Sequence, residues 1–180
     1  MYEKLDNKNS KNLTIYLVCD NIKANKKFKE IIMNGLLIQF WNWLPISYEE
    51  YAVNGLSQLM GNFEDDFPFF SDLLAYAELI VKNEYIDNKH IDDLLTIMAL
   101  DNEAEHVLEF IESDSSEKQL QYIVSGGIKH PLYETRWQLA ELIYRRKPEN
   151  YLSLLQTLSN DAHPYVRKRA IGCIERINFD

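Results

Sequence analysis

Cysteine is almost missing from this chain: Cys19 and Cys173 are its only two. They stand far apart in unrelated contexts, which excludes a disulfide framework and a cysteine-based zinc spacing. Both read as buried thiols of a reducing compartment. With six glycines and five prolines, no Gly-rich phosphate loop forms, because Gly126-Gly127 lacks the Lys-Ser/Thr that such a cradle needs. Neither a nucleophile elbow nor a Cys-His pair occurs. The longest apolar stretch, residues 31–44, is interrupted by Asn34, Gly35, Gln39 and Asn42, too short and too polar to span a bilayer. The first residues are polar and no signal-peptide core follows them, so a cytoplasmic, soluble chain is expected. Strand signals are nearly absent; only residues 14–18 have a β-branched flavour, and one helix turn accounts for them.

What is present is helical rhythm. An apolar content of 46% with 12% aromatics in 180 residues suffices for one real core. Residues 1–12 read as a loose Lys/Asn-rich lead, and residues 13–180 as a single helical domain. Phe28, Ile31, Ile32, Leu36 and Phe40 fall at helical intervals up to Pro45. Ser47 and Glu50 form a capping box that opens a helix through Tyr51, Leu56 and Met60. Pro68 suits a first helical turn, followed by the stripe Phe70, Leu73, Leu74, Ala77, Ile80 and Val81. Asp87 or Asn88, Asp101 or Asn102, and Ser115 or Ser116 can each cap a further helix, and Gly126-Gly127 is expected to end the last of these in left-handed backbone.

Two matching segments dominate the C-terminal part. His130-Pro131-Leu132-Tyr133 leads to Arg136 and Ala140, and 33 residues later His163-Pro164-Tyr165-Val166 leads to Arg169 and Cys173. Each copy places His-Pro at a helix start, a bulky apolar residue two positions after the proline, Arg five after it and a small residue nine after it. In addition, Ala77-Glu78-Leu79-Ile80 returns verbatim as Ala140-Glu141-Leu142-Ile143. A repeat at this period is the signature of stacked helical hairpins, which build extended binding surfaces.

In the last copy, Asp161-x-x-Pro164-x-Val166-Arg167-x-x-Ala170-x-x-Cys173-Ile174 resembles the second helix of a HEAT repeat. The resemblance implies an all-α solenoid of antiparallel helix pairs, clearest over residues 115–146 and 148–178. It implies structural roles for Pro131, Ala140, Pro164, Val166, Ala170 and Cys173, and a ladder between neighbouring repeats carried by Asp161 and Arg167. The earlier copy departs from the pattern: Ile128, Glu134 and Trp137 stand where Asp161, Arg167 and Ala170 stand later.

The repetition of His130 and His163 points to structural helix-start roles. His90 with Asp92 and Asp93 does not converge with His106 at metal-ligand spacing, and adjacent carboxylates such as Asp65-Asp66 diverge around a helix. No catalytic residue, metal site or cofactor is therefore expected, and no enzyme activity.

Charge is the remaining signal. Residues 64–117 carry 16 acidic residues against Lys82 and Lys89 alone, whereas the rest of the chain is net basic, and the whole sums to −9. Such a field repels nucleic acid and attracts cationic surfaces. The basic clusters Arg145-Arg146-Lys147 and Arg167-Lys168-Arg169 would serve nucleic acid, as in HEAT-like base-excision proteins, only if they converged with aromatics on one face. Size, charge and architecture resemble those of HEAT-like immunity proteins of bacterial contact-dependent inhibition and polymorphic toxin systems, which neutralise cationic nuclease toxins. The resemblance implies a basic protein partner docked on the acidic block, with Asp65, Asp66, Asp92, Asp93, Glu103, Glu105 and Glu109 as contact charges and Phe67 and Tyr85 as aromatic anchors. A HEAT-like scaffold or adaptor in a larger assembly is the rival; it would expose an apolar face on an end repeat.

Overall fold

A computed structural model describes residues 35–54 and 63–179. They are all-helical, with no strand among them, in the order α1 (Leu36–Trp43), α2 (Tyr48–Asn54), α3 (Phe63–Asp66), α4 (Phe70–Val81), α5 (Asn88–Leu100), α6 (His106–Asp114), α7 (Glu117–Gly127), α8 (Tyr133–Arg146), α9 (Tyr151–Leu158) and α10 (Pro164–Phe179). The helical reading of residues 24–34, the stretch through Leu56 and Met60, the lead 1–12, residues 14–18 and Cys19 lie outside the described residues.

The helix starts follow local chemistry. Ser47 and Glu50 exchange bonds, Ser47 N to Glu50 Oε2 at 2.9 Å and Glu50 N to Ser47 Oγ at 3.2 Å. The Asp87 carboxylate accepts from the His90 amide at 2.9 Å, and Ser116 forms a capping box with Gln119. Gln119 also donates through Nε2 to the carbonyls of Val81 and Asn83, at 3.0 and 2.7 Å, tying the start of α7 to the end of α4.

Gly126 and Gly127 differ from expectation. Both lie inside α7, and the cap Ile128 is right-handed at φ −63°. Their reason is close approach: a Cβ on Gly127 would stand 3.0 Å from Leu95 Cδ2 and 3.1 Å from Leu139 Cδ2. A side chain there would wedge α7 away from α5 and α8.

Helix α8 is the hub, packing on α5, α6, α7, α9 and α10, while α4 lies against α5 and α6. Its core-facing side is apolar at Trp137, Leu139, Ala140, Leu142 and Ile143. It also buries Glu134, Thr135, Gln138 and Glu141, which need partners, since a buried polar group without one costs free energy. Thr135 Oγ1 donates to Leu95 O at 2.7 Å and Gln138 Nε2 to Met98 O at 2.6 Å. The second of these carbonyls belongs to the last turn of α5, where no intrahelical amide remains for it. At the far end Arg146 donates to the carbonyls of Ile111, Glu112 and Ser115, at 3.2, 2.7 and 3.1 Å, closing the C-terminus of α6.

Against α10, Cys173 lies 3.5 Å from the carbonyl of its repeat counterpart Ala140. Val166, Ala170 and Cys173 are all fully buried. The carboxylate of Asp161, however, is not paired with Arg167. It accepts two bonds from Arg136, Nε to Oδ2 at 2.7 Å and Nη2 to Oδ1 at 3.0 Å, and a third from the His163 amide at 2.7 Å. Arg167 turns instead to its own helix start, donating to the carbonyls of Asp161 and Ala162 at 2.7 Å each. Arg136 does the same at the previous start, reaching His130 O at 2.6 Å and Pro131 O at 2.9 Å, and its remaining nitrogens are free to cross to the next loop. The arginine five residues after the proline thus carries the inter-helix link.

Burial works against ionisation of Asp161, but the Arg136 fork and the His163 amide outweigh it and hold the carboxyl below its usual range. A carboxyl depressed in the folded state stabilises above its unfolded pKa, and that contribution is lost as pH falls through the folded value. Arg136→Met should therefore cost about 3 kcal/mol near neutral pH, by leaving a mostly buried carboxylate and two carbonyls without their donor. Arg136→Lys should recover little of this, because the two-pronged geometry is gone. In urea titrations the gap between wild type and Arg136→Met should narrow below about pH 4; a gap independent of pH would contradict the assignment.

Candidate binding surface

The acidic block of the sequence does not form one face. Glu64 Oε1 accepts from the amides of Glu103 and Ala104 at 3.3 and 3.4 Å, which sets α3 against the α5–α6 turn. This contact gathers the exposed side chains of Asp65, Asp66 and Glu103 at one corner. Asp92 is exposed too, but near the opposite end of α5. Glu109 is exposed on α6.

Three of the expected contacts are otherwise engaged. Asp93 accepts from Tyr76 Oη at 2.9 Å and from Lys89 Nζ at 2.6 Å; Lys89 lies one helical turn earlier, so this acid does have a basic neighbour. Glu105 lies 3.6 Å from Arg145, which also bonds Glu112 at 2.9 Å. Phe67 is 4% exposed, edge-on to Phe40 at 5.2 Å and tilted against Trp43 at 5.3 Å. It is a core residue and no anchor: the chain breaks at Pro68 after α3, and the ring turns inward onto α1. Tyr85, at 75% exposed between α4 and α5, is the aromatic that faces outward.

Asp101 supports the acidic corner from beneath. It is fully buried, and its Oδ2 accepts from the Val107 amide at 2.7 Å, while His106 Nδ1 lies 3.2 Å from Oδ1. Val107 is the second residue of α6, so Asp101 satisfies an orphan amide from six positions away, and Glu105 crosses left-handed backbone at φ 58° to allow it. Desolvation raises the Asp101 carboxyl to about 6, with nearby Glu64 adding to the rise and the Val107 and His106 bonds opposing it.

The four histidines hold structural positions. His90 Nδ1 meets Asp87 at 2.8 Å, and His163 stacks on Tyr133 with ring centroids 3.7 Å apart. His130 is buried with Nε2 3.8 Å from Asp92, and burial holds its imidazole down at about 4. Among the described residues no three His, Cys, Asp or Glu side chains are placed to hold a metal ion, and no helix is long and apolar enough to cross a membrane.

The basic clusters converge only in part. Arg145 from α8 and Lys168, Arg169 and Arg176 from α10 line one groove, in which Glu105 and Glu141 also stand. Arg169 lies over Trp137, 4.6 Å from the ring centroid, and Arg176 over Tyr144 at 4.2 Å. Arg146 and Arg167 point elsewhere, to the backbone carbonyls described above. Comparison with protein-family profiles, curated proteins and solved structures finds no match, so the reading rests on this chain's own residues.

Asp101 yields a pH dependence. Its folded pKa, about 6, exceeds the ordinary carboxyl value, so the folded state binds the proton more tightly and stability falls as pH rises from about 4 to about 6. Asp101→Asn keeps an oxygen for the Val107 amide and removes the titration. Denaturant unfolding from pH 4 to 7 should show the variant gaining on wild type across this interval; parallel profiles would contradict it.

Proposed function

We propose that the chain is a non-enzymatic, HEAT-like helical-repeat module that docks a cationic protein domain on its acidic corner. The observation that carries this reading is the Glu64 contact, which draws Asp65, Asp66 and Glu103 from segments some forty residues apart into one exposed cluster. Carboxylates gathered this way concentrate field where a basic partner arrives, raising the encounter rate and rejecting acidic partners. Tyr85 and Asp92, toward the start of α5, and Glu109 on α6 are exposed outside this corner. A nuclease toxin domain, basic because it must hold nucleic acid, is the partner class that fits, which makes the chain an immunity protein of the cytoplasm. The order of packing from α4 through α5 and α8 to α10 supports a solenoid arrangement.

A second reading, a scaffold within a larger assembly, draws on the terminal helix: Phe179 is 90% and Ile171 45% exposed on α10.

The triple reversal Asp65→Lys, Asp66→Lys, Glu103→Lys should leave the helical circular dichroism intact. It should slow association with the cognate toxin domain by about tenfold or more, and the wild-type on-rate should fall steeply with added salt. Protection of toxin-expressing cells should be lost with it. Unchanged protection together with salt-insensitive binding would remove the acidic corner from the account.

A further inference from the structure

Beyond protein docking, we propose that the groove between α8 and α10 is a binding site for a small oxyanion, a phosphate monoester or a dicarboxylate. It uses side chains other than those of the acidic corner and does not depend on the reading above. In a chain of net charge −9, the groove inverts the local sign: four cations line it against the carboxylates of Glu105 and Glu141, in a volume of about 430 Å³. That volume suits a small molecule, and the four cations outnumber the three carboxylates that hold them, Glu105, Glu112 and Glu141, which leaves the groove net positive for an oxyanion.

The cations are held in place before any ligand arrives. Glu141, only 5% exposed, accepts from Arg176 Nη2 at 2.7 Å and stands 3.1 Å from Arg169 Nε. The Arg169 contact is an ion pair without hydrogen-bond geometry. Each guanidinium also lies over an aromatic ring, Arg169 over Trp137 and Arg176 over Tyr144, a cation–π contact that holds it in place. Planar forks of this kind pair with carboxylate and phosphate oxygens two at a time. Arg145, anchored by Glu112 at 2.9 Å, faces them from α8. Lys168 has no carboxylate within ion-pair distance among the described residues, so it is the cation with charge to spare. The groove is open at Gly172, where a Cβ would meet nothing within 4 Å.

This openness supplies the test. Inorganic phosphate and succinate are titrated separately into the full-length protein in low-salt buffer, followed by calorimetry and by amide chemical shifts. Saturable binding of either probe, with shifts centred on residues 168–176, is expected, and the probe that binds identifies the oxyanion. Gly172→Ala should bind as wild type does, because its methyl group meets only solvent. Gly172→Glu, which adds a carboxylate at the open wall of the groove, should abolish binding while leaving the helical spectrum unchanged. Lys168→Gln should weaken it about fivefold or more. The proposal is overturned if neither probe saturates, or if Gly172→Glu binds as tightly as Gly172→Ala. It is equally overturned if a short DNA duplex occupies the groove more tightly than either probe, with the steep salt dependence of several phosphate contacts.

Discussion

A helix end packed inside a protein leaves backbone carbonyls with no amide of their own helix to accept from, and water cannot reach them. In this chain one helix answers that constraint for its neighbours on both sides. From α8, Gln138 reaches the last turn of α5, Arg146 closes the C-terminus of α6, and Arg136 joins its own start to the loop that begins α10. The apolar residues between these polar side chains supply the bulk of the burial, since they make most of the area removed from water. The polar staples fix the register, because each is satisfied in only one alignment of the helices. Substituting one of them leaves a buried partner without a donor, which costs more than the bond itself contributes.

The same return of arginines decides where negative charge can act. Arg145 and Arg146 come back from α8 onto Glu105, Glu112 and Glu117, so these three acids are neutralised within the molecule. Buried Glu141 in turn anchors Arg169 and Arg176. What remains outward is an acidic corner at α3 and the α5–α6 turn, and a cationic groove between α8 and α10. A molecule of one net sign thereby presents surfaces of both signs, and each can select its own partner class.

Much of the architecture was legible where the signal is local. The capping box at Ser47 and Glu50, the Asp87 cap and the box at Ser116 join residues three apart, and spacing alone reveals them. The His-Pro repeat likewise marks the starts of α8 and α10, with Val166, Ala170 and Cys173 inside. Contacts set by packing were not legible. The partner of Asp161 comes from 25 residues earlier, and the HEAT-like pattern pointed to Arg167, which lies closer in sequence but is spent on its own helix start. Phe67 reads as a surface aromatic because Asp65 and Asp66 precede it, yet the break at Pro68 turns it into the core. The glycine pair ending α7 reads as a left-handed stop, whereas the steric demand comes from Leu95 and Leu139 on two other helices. Asp101 reads as an ordinary N-cap candidate; its burial and its reach over six residues arise only from the left-handed step at Glu105.

That α8 organises its neighbours can be measured directly by native-state hydrogen exchange resolved to single amides. Backbone amides of α8 should exchange only through global unfolding, with the last turn of α5 and the middle of α10 protected nearly as well. Helix α1 and the residues of α10 beyond Arg176, which α8 does not staple, should open at lower cost. Amides of α8 that exchange through a low-energy local opening, while α5 and α10 stay protected, would contradict the account.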